Sequence, residues 1–259
     1  MEKLTIVKVG GKVVEEPASL SQLLSLFENM PGKKLLVHGG GRSATALAAD
    51  LGIETQMIDG RRITDEKMLR VVTMVYAGQV NKNIVARLQA LGMNALGLTG
   101  ADLGVMRSDK RAPKNGIDFG FVGDVTEVDT TILSALIQKD VVPVMAPITH
   151  NGMGSLLNTN ADIVAGELAI ALSKTFDVNL IYCFEKKGVL ADRDDEESVI
   201  HKLTLPKVKD MIEKKEIADG MIPKLDGAFR SLYSGVKKVY ITKASDISNL
   251  NLGTEIIVK

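Results

Sequence analysis

Short apolar runs alternate with longer amphipathic stretches along this chain. Leu4, Ile6, Val7 and Val9 form the first run and read as a short buried strand. From Pro17 to Met30, Leu20, Leu23, Leu24 and Phe27 recur on one helical face, and Pro31-Gly32 closes the helix. A second strand, Lys34 to His38, runs into Gly39-Gly40-Gly41 and a helix from about Ser43 to Leu51. Asp59-Gly60 between Thr55–Ile58 and Arg61–Thr64 is the signature of a hairpin with a type I′ turn. Thr64-Asp65-Glu66 has the form of an N-cap with an acidic first turn and opens a helix to about Tyr76, with Asn81 to Leu91 as a further helix. Ala95 to Leu98 is a brief strand, Val105 to Val125 a hairpin around Asn115-Gly116, and Thr130 to Lys139 a helix. Val141 to Val144 is strand-like, and its Pro143 suggests an edge or a bulge. Asn151-Gly152 begins a turn, and Ala161 starts an alanine-rich helix to about Lys174. Val178 to Phe184 is a continuous apolar run, the mark of a buried parallel strand. Val208 to Lys215 and the stretch from Lys224 through Leu232 are helical, and Lys238–Thr242 and Thr254–Val258 are the last strands.

Strands alternating with helices predict an α/β fold, a three-layer αβα sandwich whose mostly parallel central sheet is covered on both faces. Ligands of such sheets sit outside the carboxyl ends of the strands. Lys8–Gly11, Gly39–Gly41, Gly100, Glu185–Gly188 and Lys224 are the groups expected to gather at that edge. No shift in composition marks a border, so residues 1–259 read as a single domain. The helix from Ala161 is its natural divider, with an N-terminal lobe over about 1–174 and a C-terminal lobe over about 175–259.

Charge narrows the partners. Lys+Arg and Asp+Glu both number 32 in 259 residues, which argues against nucleic acid or a membrane surface as the main partner. Tryptophan is absent and aromatic residues are few, so a base-stacking platform is not expected. No apolar run approaches the ~18–20 residues of a membrane span. The single cysteine, Cys183, excludes a disulfide framework and fits a reducing cytoplasm. Met1 leads straight into strand-like sequence, so no signal peptide is expected.

Lys8-Val9-Gly10-Gly11 has two readings: a tight turn after an edge strand with Lys8 solvated, or a nest of amides around an anion with a lysine beside it. Gly39-Gly40-Gly41 is a second candidate anion site, because the free N–H groups and dipole of the following helix favour negative charge. Gly39 to Ala44 also fits the dinucleotide pattern G-x-G-x-x-A, with Asp59 about twenty residues on. Asp59 at a turn tip is poorly placed to reach a ribose hydroxyl, which weakens a nicotinamide reading. In Asn158-Thr159-Asn160-Ala161-Asp162 one residue suffices to cap the helix, and the surplus points to a ligand or to partner lysines. The acidic loop Asp192 to Glu197 reads as a solvated tip, with a metal site the lesser reading. Gly11-Lys12 is followed by valine, so there is no Walker A motif, and the protein-kinase catalytic motifs are missing. Glycine turns plus lysines then indicate phosphate chemistry on a fold without a P-loop.

Six segments occur in register over nearly the whole chain: Lys8-Val9-Gly10-Gly11, His38-Gly39-Gly40-Gly41, Gly60-Arg61-Arg62-Ile63-Thr64, Gly97 to Asp102, Asn158 to Asp162, and Asp219-Gly220-Met221-Ile222-Pro223-Lys224. Together they resemble the amino acid kinase family, and within it the acetylglutamate kinases. The resemblance implies ATP-dependent phosphorylation of the γ-carboxylate of N-acetyl-L-glutamate, or a related N-acylglutamate, on the way to ornithine and arginine. It implies that Lys8 and Lys224 flank the transferring phosphoryl group and that Asp162 holds both ammonium groups. Gly11 and the Gly40 and Gly41 amides would touch phosphate and substrate, Arg62 the substrate's α-carboxylate and Asn158 its backbone portion. Lys186, Gly188, Val189 and Leu190, with Ile217, Gly220 and Met221, would line the nucleotide. Mg²⁺ would be carried by ATP, with no metal site of the chain's own.

Two departures stand out. Phe184-Glu185-Lys186-Lys187-Gly188 replaces the family's frequent Thr-Asp-Val-x-Gly turn, which adds a methylene to the acid and alters charge near the nucleotide. The first strand starts within a few residues of Met1, leaving no room for the N-terminal helix that links some relatives into arginine-inhibited hexamers. A plain homodimer without arginine feedback is expected. The alternatives are a family kinase acting on aspartate, glutamate, carbamate or a nucleoside monophosphate, and a catalytically silent sensor. Lys8, Asp162 and Lys224 together argue against the sensor.

Overall fold

The structure, a computed structural model, describes residues 1–58, 60–192, 194–214, 216–217 and 221–258. β1 (Lys3–Val9) leads through a short α1 (Gly11–Glu15) into α2 (Pro17–Glu28), with Pro17 in the first turn, where its missing N–H costs nothing. β2 (Lys33–His38), α3 (Gly41–Asp50) and the small hairpin of β3 (Met57–Ile58) with β4 (Arg61–Arg62) follow. The hairpin is as expected; Asp59 lies outside the described residues. α4 (Glu66–Val72) is capped by Asp65, which accepts from the Met68 N–H at 2.7 Å. It passes through a π-helical stretch, Thr73–Val80, directly into α5 (Asn81–Ala90). Next come β5 (Ala95–Leu98), β6 (Met106–Lys110), β7 (Gly123–Val128), α6 (Thr131–Gln138), β8 (Val142–Met145), β9 (Ile148–His150) and β10 (Leu156–Asn158). The chain ends with α7 (Ala161–Leu172), β11 (Asp177–Phe184), β12 (Lys202–Thr204), α8 (Leu205–Glu213), α9 (Ile222–Tyr233), β13 (Lys238–Lys243) and β14 (Thr254–Ile257).

Eight strands form the central sheet in the order β12-β14-β13-β11-β1-β2-β8-β5. Every neighbouring pair is parallel except β13 with β14. The period of two along each strand creates two cores. Leu4, Ile6, Leu35, Val37, Leu180 and Tyr182 face α6 to α9, while Val7, Val9, Leu36, Ile181 and Cys183 face α2 to α5. This is the three-layer sandwich expected. Burial pushes the Cys183 thiol up to about 12, so this lone cysteine is packing.

Three features differ from the sequence reading. Residues 66–90 form one continuous helical run rather than two helices, since no proline or turn residue interrupts them; Gly78 is tolerated within it. Pro143 is not at an edge: β8 lies between β2 and β5, and its ladder with β2 begins only at Val144, so the absent N–H breaks no bond on that side. β6, β7, β9 and β10 make a second sheet, ordered β10-β9-β6-β7, in which β9 and β10 span three residues each and are too short to show a period. β1 is interior, which removes the edge-strand reading of the turn after it. No described helix is long and apolar enough to cross a membrane.

Candidate active site

β1, β2 and β11 are adjacent and parallel, so the turns that follow them meet at one edge. The first two touch: a methyl group on Gly39 would sit 3.2 Å from the Gly11 nitrogen. One on Gly40 would sit 2.8 Å from the Tyr76 ring, so only glycine fits there. Tyr76 comes from the π-helical stretch, a departure from regular helix that recurs at functional sites. Beneath the turn His38 is fully buried. Its Nδ1 donates to the Gly39 carbonyl at 2.7 Å and its Nε2 accepts from Asn81 Nδ2 at 3.1 Å. Burial lowers its pKa to about 4, so the ring is a neutral strut at pH 7. α3 has no side-chain cap of its own at Gly40; the Glu15 carboxylate instead accepts from the Ser43 N–H at 2.6 Å.

Across this edge α7 presents Asp162 in its first turn, held by Asn160, whose side chain accepts from the Asp162 N–H at 2.7 Å. Lys8 meets the Asp162 carboxylate at 2.7 Å and Lys224, at the start of α9, meets it at 3.5 Å. Burial pushes the Asp162 carboxyl up, but the two ammonium groups outweigh it and hold the pKa below the usual carboxylate range. Two cations thus share one buried anion.

Arg62 is 7% exposed, and its guanidinium donates to the Gly41 carbonyl and to Thr45 Oγ1, both at 2.8 Å. Asn158 donates to Thr64 Oγ1 at 3.0 Å. Arg62 and Asn158, with Gly40, Gly41 and Tyr76, surround a cavity of about 200 Å³. A second cavity of about 650 Å³ is lined by Gly11, Phe184, Lys186, Gly188, Met221 and Lys224. Arg62 and Gly41 border both.

The three proposed catalytic groups therefore converge, the four substrate-binding candidates share the small cavity, and Gly11, Lys186, Gly188 and Met221 share the large one. Val189, Leu190 and Ile217 are buried and do not line that cavity. Gly220, like Asp219, lies outside the described residues. Gly100 follows β5 but its N–H donates to the Ile148 carbonyl at 2.7 Å, tying the two sheets together, and it lines neither cavity. Lys186 pairs with Glu196 at 2.9 Å and Lys187 with Glu197, which folds the acidic loop back on the turn.

Sequence reasoning missed Glu15, Tyr76 and Arg111. Tyr76 was hidden in an apolar helical stripe. Arg111 reaches the small cavity from the second sheet's connecting loop; its Nε bonds Asp124 at 3.1 Å, and its buried Nη1 has no hydrogen-bond partner among the described residues. The basic residue was visible, but nothing local marked where it would point.

Glycine turns at the carboxyl edge of a doubly covered parallel sheet, with paired ammonium groups and no P-loop, define an α/β protein with a cationic, amide-rich edge of a kind suited to small anions. The chain belongs to the amino acid kinase family, whose sequence profile matches residues 3–243. The acetylglutamate kinase of Bacteroides thetaiotaomicron is 60% identical over 255 residues, covering 98% of each chain. That of Phocaeicola vulgatus is 59% identical over 258 residues, covering 100% of this chain and 99% of its own. Among solved structures, smu.665 from Streptococcus mutans UA159 is 27% identical with a TM-score of 0.82 over 99% of both chains. Carbamate kinase from Giardia lamblia bound to AMP-PNP, 15% identical with a TM-score of 0.71 over 99% of both chains, shares the fold.

Proposed function

We propose that this chain transfers the γ-phosphoryl group of ATP to the γ-carboxylate of N-acetyl-L-glutamate or a related N-acylglutamate, as a step of arginine biosynthesis. The observation that carries the reading is the pair of ammonium groups on one largely buried aspartate, with Lys224 lining the large cavity and Asn160 and Ala161, next to Asp162 in the chain, lining the small one. The names of the relatives at 59–60% identity support it.

The chemistry asks little of the protein beyond position and charge. A carboxylate is ionised at neutral pH and is itself the nucleophile, so no general base is needed. Its oxygen forms a bond to the γ-phosphorus as the bond to the bridging oxygen of ADP breaks. Arg62 and Asn158 hold the acylglutamate in the small cavity, and the Gly40 and Gly41 amides face the groups that react. Lys8 and Lys224 neutralise the charge on the phosphoryl oxygens, and Asp162 sets their spacing. Gly11, Lys186, Gly188 and Met221 hold ATP in the large cavity, and Mg²⁺ carried by the nucleotide would offset phosphate charge there. Residues 1–174 then act as the acylglutamate lobe and 175–259 as the nucleotide lobe of a cytoplasmic homodimer.

Arg111 also lines the small cavity, and its positive charge favours a glutamate derivative whose carboxylates it can attract over a neutral ligand. Coupled assays of ATP turnover with N-acetylglutamate, N-succinylglutamate and free glutamate test both points. Turnover with an acylated glutamate and not with the free amino acid is expected; silence with all three overturns the reading. Light scattering should give a dimer, and a hexamer would contradict that part.

A further inference from the structure

Phe184 ends β11 on the sheet face that carries Lys8 and Tyr182. It stacks on Tyr182 with ring centroids 6.4 Å apart and planes 13° from parallel, which fixes the orientation of its ring. Both cations of the site lie against that ring: Lys8 Nζ is 5.3 Å and Lys224 Nζ 4.8 Å from its centroid. One lysine comes from a strand and the other from the start of a helix, so the ring and Asp162 are the two features that join them. Among the described residues Asp162 is the one carboxylate paired with either.

We propose that Phe184 is a positioning residue of the phosphoryl clamp, its aromatic face holding the Lys8 and Lys224 ammonium groups in place without cancelling their charge. The proposal rests on the kinase reading above. Two ammonium groups on one carboxylate repel each other, and each ends a flexible four-carbon stem. A second carboxylate would hold them but would discharge the site and repel the phosphate. A hydroxyl would hydrogen-bond one of them without offsetting the repulsion. The negative face of an aromatic ring attracts both cations while carrying no net charge, and does so most strongly where water is sparse. Net positive charge therefore stays available for the phosphoryl oxygens, already oriented before ATP arrives. This also gives a physical reason for an aromatic residue at a position where the family pattern noted above has threonine.

Two measurements test it. In the ligand-free protein, NMR should place the ε-methylene protons of Lys8 and Lys224 upfield of ordinary lysines through the ring current. That shift should vanish in Phe184→Leu; ordinary positions in the native protein would overturn the proposal. In the assay, Phe184→Leu, which keeps apolar bulk, should lower kcat about tenfold while KM for acylglutamate stays within about twofold, and Phe184→Tyr should restore kcat. Mono-, di- and trifluorinated phenylalanine at position 184 drain the face of the ring at nearly constant size, so log kcat should fall step by step. A flat series in an active enzyme overturns the role of Phe184. Inactivity of the native enzyme on every acylglutamate instead overturns the kinase reading, and the NMR comparison still decides whether the ring holds the lysines.

Discussion

Lys8 meets Asp162 at 2.7 Å, and Lys12 meets Glu185 at 2.9 Å only a few residues away. The chemical pair and its length are nearly the same, yet the first pair is 8% and 16% exposed and the second 51% and 49%. The inner pair joins β1 to the first turn of α7 on the covered face of the sheet, while the outer one lines the large cavity, with Arg42 also reaching Glu185 at 3.5 Å. Where water is scarce a charge acts at nearly full strength on whatever anion is brought to it; at the rim solvent and salt screen it. Contact distance does not distinguish the two pairs. Burial does.

The comparison is broken most directly at the inner cluster. Lys8→Ala or Lys224→Ala should lower kcat by ~10²–10³, equivalent to ~3–4 kcal/mol, with a much smaller rise in KM for acylglutamate. Steady-state kinetics that leave kcat near normal in both variants would remove the inner cluster's special standing.

His38 offers a test of burial alone. Its pKa falls from an ordinary 6.5 to about 4 in the fold, so the unfolded chain binds the proton more readily between those values. Stability contributed by the neutral ring is complete above pH 6.5 and is lost as pH falls towards 4, an effect on the order of 3 kcal/mol. Urea unfolding across that window should show the loss in the native protein and lack that part of it in His38→Asn. Parallel pH profiles for the two proteins would contradict the assignment.

Arg62→Lys should act next in size, raising KM for acylglutamate about tenfold with a smaller change in kcat, because a forked donor becomes a point charge. An unchanged KM would place Arg62 outside substrate recognition. At the rim, Lys12→Ala should alter stability by less than about 1 kcal/mol, measured by thermal unfolding at low and high salt. A larger loss would show that the outer pair is not screened.

The alternation of strands and helices was readable because each long element carries its own period, as in Leu20, Leu23, Leu24 and Phe27 of α2 or the apolar run Val178 to Phe184. The second sheet was not, since β9 and β10 each span three residues and their pairing is decided by partners elsewhere in the chain. The interior place of Pro143 was hidden for a similar reason: a proline argues against a central strand until the register shows that the ladder beside it has not yet begun. At the site, Lys8, Asp162 and Lys224 stood out through their motifs, whereas Glu15 capping another helix and Tyr76 filling the space left by Gly40 are contacts between distant segments.

The sequence by itself determined the order of the elements, the glycine turns at the ends of β1 and β2, and the caps at Asp65 and Asn160, because each depends on neighbours a few residues away. Tertiary structure alone decided that β11 lies beside β1, so that residues far apart along the chain place two ammonium groups, one carboxylate and one aromatic ring together. It also decided which of two similar ion pairs is withdrawn from water. Both outcomes follow from packing a parallel sheet between two helical layers, which aligns the carboxyl ends of distant strands at one edge and buries what lies beneath the helices.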